Sequence, residues 1–371
     1  MYLEIENLNI KLDEFKLENI NFTVDKGEYL ILIGPTGSGK SVLLESIIGF
    51  YTPDSGIIKL NNKILNDVTP EKRNIGIVYQ DHVLFPNMNV YENIAYGLKT
   101  KTKDENEINE KIENITKILN INHLLERNIS TLSGGESQRT ALARALVVNP
   151  DIILMDEPFS ALDVTSQAKI TQLIKEIGRK FNTTFIHVTH NFNDIWNLAD
   201  RVGVMKNGKL YQIDTIDKVF SKPNNEFVAN FVGVHNLFEG EIINTNENSV
   251  SVKINDDIIL QSTDEEYCKL VKNKINNIHV LVAIRPENII FANETFESSA
   301  RNRLKGKVTE ITESGPIINV TCSVDDIEFK GILTRNSYEK LNIKIDKEIY
   351  LIFKSLNVKI LDSYHTFKKK S

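Results

Sequence analysis

The chain has 371 residues, of which 41% are hydrophobic and 25% charged, with a formal net charge of −6. That composition supports two or three domains with packed cores, excludes bulk disorder and argues against a nucleic-acid partner. Two cysteines, Cys268 and Cys322, are too few and too far apart for a disulfide framework or a paired-cysteine metal site. The first ten residues lack the basic-then-apolar layout of a signal peptide, and no apolar run approaches the ~20 residues of a membrane span. A soluble chain is expected, one that borrows another subunit's span if it works at a membrane.

Leu3, Ile5, Leu8 and Ile10, then Leu17, Ile20, Phe22 and Val24, alternate in β fashion. They lead to the apolar run 29–33, bounded by Gly27 and Gly34, which predicts a buried parallel strand. Gly34, Pro35, Thr36, Gly37, Ser38, Gly39, Lys40 and Ser41 follow, and residues 42–50 continue at helical spacing. This is the GxxxxGK[ST] pattern between a strand and a helix. Its glycines let backbone N–H groups curl round phosphate oxygens, and the helix N-terminus adds a positive dipole. Lys40 then supplies a cation between the β- and γ-phosphates, and Ser41 a hydroxyl ligand for Mg²⁺.

Between residues 80 and 130 the texture changes. Residues 99–117 are rich in Lys, Glu and Asn, with Ile108, Ile112, Ile115 and Ile118 at helical spacing. This predicts an inserted helical region with a solvated face. A second apolar run, 152–155, ends on Asp156, Glu157 and Pro158, and a third, 183–189, ends on His190. Buried strands with helical crossovers indicate an α/β domain with a parallel core. Asp156 at a buried strand end needs a cation, for which Mg²⁺ is the natural partner. Glu157 is placed to polarise an attacking water, and His190, at the same sheet edge, to contact the γ-phosphate.

After a turn at 221–225 the composition shifts, and from about Asn236 short alternating runs take over: 250–254, 258–261, 279–284, 306–311, 317–321, 327–333 and 348–353. They predict a small, barrel-like all-β module. The expected domains are 1–232, with a helical subdomain at about 84–150, and 233–371.

Leu132, Ser133, Gly134, Gly135 and Glu136 complete a set that names a family. The first 232 residues resemble the ATP-binding subunits of ABC transporters. The matching elements run in order: Walker A at 34–41, the Q-loop Gln80, the signature 132–136, Walker B at 152–157, the D-loop Ser160, Ala161, Leu162 and Asp163, and His190. The resemblance implies a P-loop ATPase that uses ATP and Mg²⁺, with Ser41, Gln80 and Asp156 at the metal and Glu157, His190 and Gln80 in catalysis. It also implies a homodimer whose domains face head to tail around two ATP molecules. Ser133, Gly134, Gly135 and Asp163 of one subunit would then meet the nucleotide held by the other. Two positions depart from the family pattern. Glu136 stands where glutamine is commonest. The place of the adenine-stacking aromatic holds Leu12, with Phe15 close by, as a stacking ring or as core.

Residues 85–94 resemble the segment with which importer ATPases receive a coupling helix from the permease. With one Walker A, no sustained heptad and a C-terminal β module, the chain resembles importer ATPases. Its expected place is the cytoplasmic face of the cell membrane, as a peripheral subunit. The implied partners are a permease dimer and an extracytoplasmic oxyanion-binding protein. Arg285, Pro286 and Glu287 resemble the RPE element of the TOBE regulatory domain. Residues 299–302, 304–308, 332–337 and 353–355 resemble the Mop domains, which are OB-like and bind molybdate or tungstate at subunit contacts; the Mop-like part spans about 297–363. Ser299, Arg301, Thr334, Lys354 and Ser355 correspond to oxyanion-holding positions, although Leu356 and Asn357 replace small residues. A tetrahedral dianion offers only acceptors, so hydroxyls and fixed cations suit it. The expected function is the ATPase of a molybdate or tungstate importer whose C-terminal domain senses the oxyanion. The alternatives are an importer ATPase for sugar, sulfate or iron with a structural β domain, and a soluble ABC ATPase without a transport role.

Overall fold

The computed structural model describes residues 1–160, 162–246, 248–264, 267–268 and 278–363. They fall into two compact units that divide between Ile216 and Asp217. No helix among the described residues is long and apolar enough to cross a membrane.

The first unit contains two sheets. β1 (Leu3–Leu12), β2 (Phe15–Val24), β4 (Ser55–Leu60) and β5 (Lys63–Ile64) form an antiparallel sheet in the order β2-β1-β4-β5. β3 (Tyr29–Ile33), β6 (Ile75–Val78), β7 (Ile152–Asp156), β8 (Thr184–Val188), β9 (Arg201–Lys206) and β10 (Lys209–Thr215) form the other, in the order β10-β9-β3-β8-β7-β6. Every pair except β9–β10 is parallel. All five residues of β3 and of β8 are buried, as expected for parallel strands covered on both faces. Leu32 pairs with Val188 and Val188 with Asp156. This register brings the carboxyl ends of β3, β7 and β8 to one edge, where α/β sheets bind ligands.

The helices are α1 (Lys40–Ile48), α2 (Val90–Lys101), α3 (Glu105–Ile118), α4 (Gly134–Leu146), α5 (Val164–Phe181) and α6 (Phe192–Leu198). The inserted region breaks into α2 and α3 because Asp104 caps α3, accepting from the Asn106 and Glu107 N–H groups. Arg73 closes the far end of α1. It is buried with no carboxylate partner among the described residues, and its guanidinium donates to the carbonyls of Ser46, Ile47 and Val68. A cation there complements the negative end of the helix.

Two short helices, α7 (Ile216–Ser221) and α8 (Glu226–Phe231), lead into the second unit. The division therefore falls sixteen residues before the expected boundary at 232. Within the second unit the Arg285 guanidinium donates to the Phe220 carbonyl and lies 5.7 Å over the Phe220 ring. That arginine of the RPE element fastens the linker helix to the β module.

The second unit has two five-stranded sheets. β11 (Asn236–Asn246), β12 (Ser249–Lys253), β13 (Ile259–Ser262), β14 (Ile278–Ile284) and β20 (Val358–Ser363) run in the order β13-β12-β11-β14-β20. β15 (Ile290–Ala292), β16 (Asn302–Ser314), β17 (Ile317–Val324), β18 (Ile327–Thr334) and β19 (Glu348–Phe353) run in the order β15-β19-β16-β17-β18. Both sheets feed one core that includes Val252, Val282, Phe329 and Phe353. Two buried asparagines join them. Asn236 donates to the Lys330 carbonyl at 2.8 Å and accepts from its N–H, and Asn302 pairs in the same way with the backbone of Gln261. The module is not wholly β: α9 (Arg335–Lys340) follows β18, capped by Thr334.

Candidate functional site

The loop after β3 turns on three glycines with positive φ, Gly34, Gly37 and Gly39. A side chain at Gly34 would meet the Met205 carbonyl oxygen at 2.1 Å, so only glycine fits there. Gly39 caps α1 with no side-chain bond to the helix. The first N–H groups of α1 therefore open into a 300 Å³ cavity lined by Thr36, Gly37, Ser38, Lys40, Ser41, Phe15 and Glu157. Lys40 is buried and donates to the Gly34 carbonyl (2.9 Å), the Pro35 carbonyl (3.1 Å) and the Ser38 hydroxyl (3.1 Å). Burial pulls its pKa down, against the charges of Glu157 and Asp156. Phe15 and Leu12 both pack against the core of the unit, and the Phe15 ring also lies over Gly39.

The acidic pair sits across this cavity. Asp156 ends β7, and its carboxylate accepts from the Ser41 hydroxyl. Burial pushes its carboxyl above the usual carboxylate range despite that bond, and the charge of Glu157 adds to the rise. Glu157 is held at φ 44°, a left-handed conformation that costs a non-glycine residue about 1–3 kcal/mol. Its N–H donates to Val188 at 2.9 Å, and its carbonyl accepts from the Ser160 hydroxyl at 3.0 Å. The twist carries the carboxylate to 3.2 Å from His190 Nδ1. Glu157 lines the loop cavity and also a 440 Å³ cavity with Ser160, Thr189, His190 and Asp194. Gln80 is exposed, two residues past Val78, which pairs with Met155.

The signature residues stand on a different element. Ser133 caps α4, and Gly134 and Gly135 open it. Asp163 caps α5, accepting from Thr165 N–H, Ser166 N–H and the Ser166 hydroxyl. Neither group lines the loop cavity of its own chain. Ala161 of the expected D-loop lies outside the described residues.

Several residues that position the site escaped the sequence reading. Asp194, buried, accepts from the Thr189 hydroxyl at 2.7 Å and from Gln167 at 2.8 Å, fixing the chain on either side of His190. His187 is fully buried between Tyr29 and Phe159, and burial drops its pKa to about 3, so it is neutral packing. Arg144 of α4 donates to the carbonyls of His82 and Val83 and stacks 5.0 Å over Phe85. Those two residues carry positive φ, rare for a β-branched valine. The Gln80 segment is thereby tied to the signature helix. An arginine inside the run Ala141–Leu146 was the signal. In residues 85–94, Val90 is fully buried core, and Asn93 ties the 85–89 loop through the Phe85, Met88 and Asn89 carbonyls.

Burial also pushes the Asp194 carboxyl up. A carboxyl raised in the folded state binds more protons folded than unfolded. Its stability contribution is therefore lost as pH rises from about 3.9 through the folded pKa. Asp194→Asn keeps both bonds once the Gln167 amide turns over, and removes the charge. It is expected to melt above the parent at pH 7, with the gap closing toward pH 4. A calorimetric scan showing the reverse order at pH 7 would contradict this assignment.

In the β module, Asn302 pairs with Phe353, which sets Arg301 beside Lys354 one residue beyond, with Ser355 next. Ser299, Arg301 and Lys354 are exposed, and Ser355 is buried. Thr334 lies elsewhere. Ser314 pairs with Ile317 and Ile317 with Thr334, so Thr334 sits at the opposite end of β16. Its hydroxyl bonds to Ser337 as the cap of α9. One protomer thus brings Ser299, Arg301, Lys354 and Ser355 to one end and leaves Thr334 at the other.

Comparisons with known proteins bear on both units. A family model described as ABC transporter matches residues 17–160, and one described as TOBE domain matches 298–360. The molybdate/tungstate import ATP-binding protein WtpC of Pyrococcus abyssi is 40% identical over 362 residues, covering 96% of this chain and 99% of the relative. The chain belongs to the ABC import ATP-binding proteins. Another such protein, the spermidine/putrescine import ATP-binding protein PotA of Clostridium acetobutylicum, is 36% identical over 308 residues, 82% of each chain. Among solved structures, the dimeric post-hydrolysis cassette MJ0796 bound to ADP and Pi matches at a TM-score of 0.53 with 30% identity. The match covers 58% of this chain and 98% of that one. The membership makes the chain an ATPase that uses ATP and Mg²⁺. The residues present fit the metal: Ser41 and Asp156 are bonded hard-oxygen donors, and a desolvated carboxylate is relieved by a cation. They would hold Mg²⁺, which when bound neutralises charge on the transferring phosphoryl group.

Proposed function

We propose that this chain is the ATPase that energises import of molybdate or tungstate, and that its β module binds the same oxyanion to regulate uptake. The observation that carries the substrate is the near full-length likeness to a molybdate/tungstate import protein. It favours this reading over a sugar, sulfate or iron importer and over a soluble ATPase. The chain would sit on the cytoplasmic side of the membrane against a separate permease dimer, with an extracytoplasmic protein delivering the oxyanion.

In this reading the glycine loop and the α1 N-terminus hold the phosphates, and Lys40 bridges the last two. Phe15 is the ring placed to lie against adenine. Glu157 takes a proton from the attacking water, and His190 steadies the Glu157 carboxylate and the γ-phosphate. Gln80 reports the γ-phosphate to the helical subdomain through the Arg144 contacts. Ser133, Gly134, Gly135 and Asp163 stand apart from their own loop, which suits service to the nucleotide of a second subunit. ATP then closes the pair, hydrolysis reopens it, and the permease follows.

For the oxyanion, Ser299, Arg301, Lys354 and Ser355 form one half-set and Thr334 belongs to another, so a full set takes two subunits. Bound anion restrains closure only if it prefers the open pair. Calorimetry on the full chain tests the sensing reading. Molybdate and tungstate are expected to bind more tightly than sulfate. Lys354→Gln should weaken them about 10- to 150-fold, the worth of one charged hydrogen bond at ~1.5–3 kcal/mol. An absence of binding by the parent chain would overturn it.

A further inference from the structure

We propose that Glu136 is a built-in competitor of the phosphate at the signature helix and raises the ATP concentration needed to close the ATPase pair. The inference rests on the reading of Ser133 as a phosphate donor. The Ser133 N–H donates to Glu136 Oε2 at 2.8 Å, and its hydroxyl donates to the same oxygen at 2.8 Å. The Glu136 N–H returns a bond to the Ser133 hydroxyl. Both donors that this serine can offer an anion are therefore given to one carboxylate oxygen. The carboxylate occupies the positive end of α4, the place an incoming phosphate would take. The bond from the Ser133 backbone also holds the Glu136 carboxyl below the usual range, so it is charged at neutral pH.

A second group completes the device. Arg139, one turn along α4, has a buried Nε with no hydrogen-bond partner among the described residues. Its Nη1 lies 3.8 Å from where a side chain at Gly135 would begin. Arg139 and Arg127 both attract the Glu136 carboxylate. Glu136 thus has two docking places: Ser133 in the arrangement seen, and Arg139 once a phosphate takes the serine. Closure must exchange the first for the second while bringing two negative groups together. Glutamine at this position would keep the cap, since its carbonyl still accepts from Ser133, and would carry no charge.

The test places Glu136→Gln in a Glu157→Gln chain, so that ATP is bound and not consumed, and follows dimerisation by sedimentation. The double variant is expected to reach half-maximal dimer at about tenfold lower ATP than Glu157→Gln alone, a shift on the scale of one screened charge pair. ADP affinity of the monomer and melting temperature should be unchanged. Glu136→Ala, which loses half of the cap, should still lower the ATP requirement. An unchanged or higher requirement in both variants overturns the competitor role. If Glu157→Gln itself does not dimerise with ATP, it is the paired-domain reading that fails.

Discussion

Glu157→Gln is expected to bind ATP as the parent does and to hydrolyse it roughly 10²–10⁴-fold more slowly, the usual contribution of a positioned general base. The expectation comes from geometry. A glutamate is held in a left-handed conformation at the end of a buried strand, by its N–H to Val188 and by Ser160 on its carbonyl. Strain of this kind persists only where the surroundings enforce it. Its result is a carboxylate that faces the phosphate-loop cavity and His190 together. Glutamine has the same shape and accepts hydrogen bonds, but it takes no proton from water. Single-turnover measurements separate binding from chemistry. A variant that turns over at the parental rate would remove Glu157 from the base position.

Lys40→Ala is expected to weaken ATP binding about 10- to 150-fold, from the loss of a charged hydrogen bond worth ~1.5–3 kcal/mol. The Lys40 ammonium is caged by the Gly34 and Pro35 carbonyls and the Ser38 hydroxyl. A phosphate entering the loop exchanges for these contacts and meets a cation already drawn out of water. Lys40→Arg should not restore affinity, because a planar fork does not fit a cage shaped for a compact ammonium. Nucleotide titrations would contradict this if the arginine variant bound at the parental strength.

The sheet edge that carries the candidate site was legible in the sequence because its signals are local. Five consecutive apolar residues between glycines mark β3, and a run ending on Asp156 and Glu157 marks β7. Burial of both faces points to a parallel sheet, in which each of the two strands pairs with β8. The glycines of the phosphate loop announce positive φ directly. Glu157 does not: nothing in its residue type foretells a left-handed backbone, which is imposed by Val188 and Ser160 from outside. The same holds for Asn236 and Asn302. Each reads as an ordinary polar strand residue, and only the closure of two sheets makes them buried links. Thr334 offers a hydroxyl in the sequence, and that hydroxyl also starts a helix that a polar hexapeptide hardly advertises. Arg285 likewise reaches back 65 residues to Phe220, a contact without a local pattern.

Hydrolysis at Glu157 is expected to drive uptake of a group-six oxyanion. The most direct measurement reconstitutes the chain with its permease in proteoliposomes, with its binding protein supplied outside the cytoplasmic face. ATPase rate and uptake are followed with molybdate, tungstate, sulfate, ferric iron and spermidine in turn. ATP-dependent accumulation of molybdate and tungstate is expected, with a matching rise in hydrolysis that Glu157→Gln abolishes. Stimulation by iron, sulfate or spermidine with none by either oxyanion would contradict it.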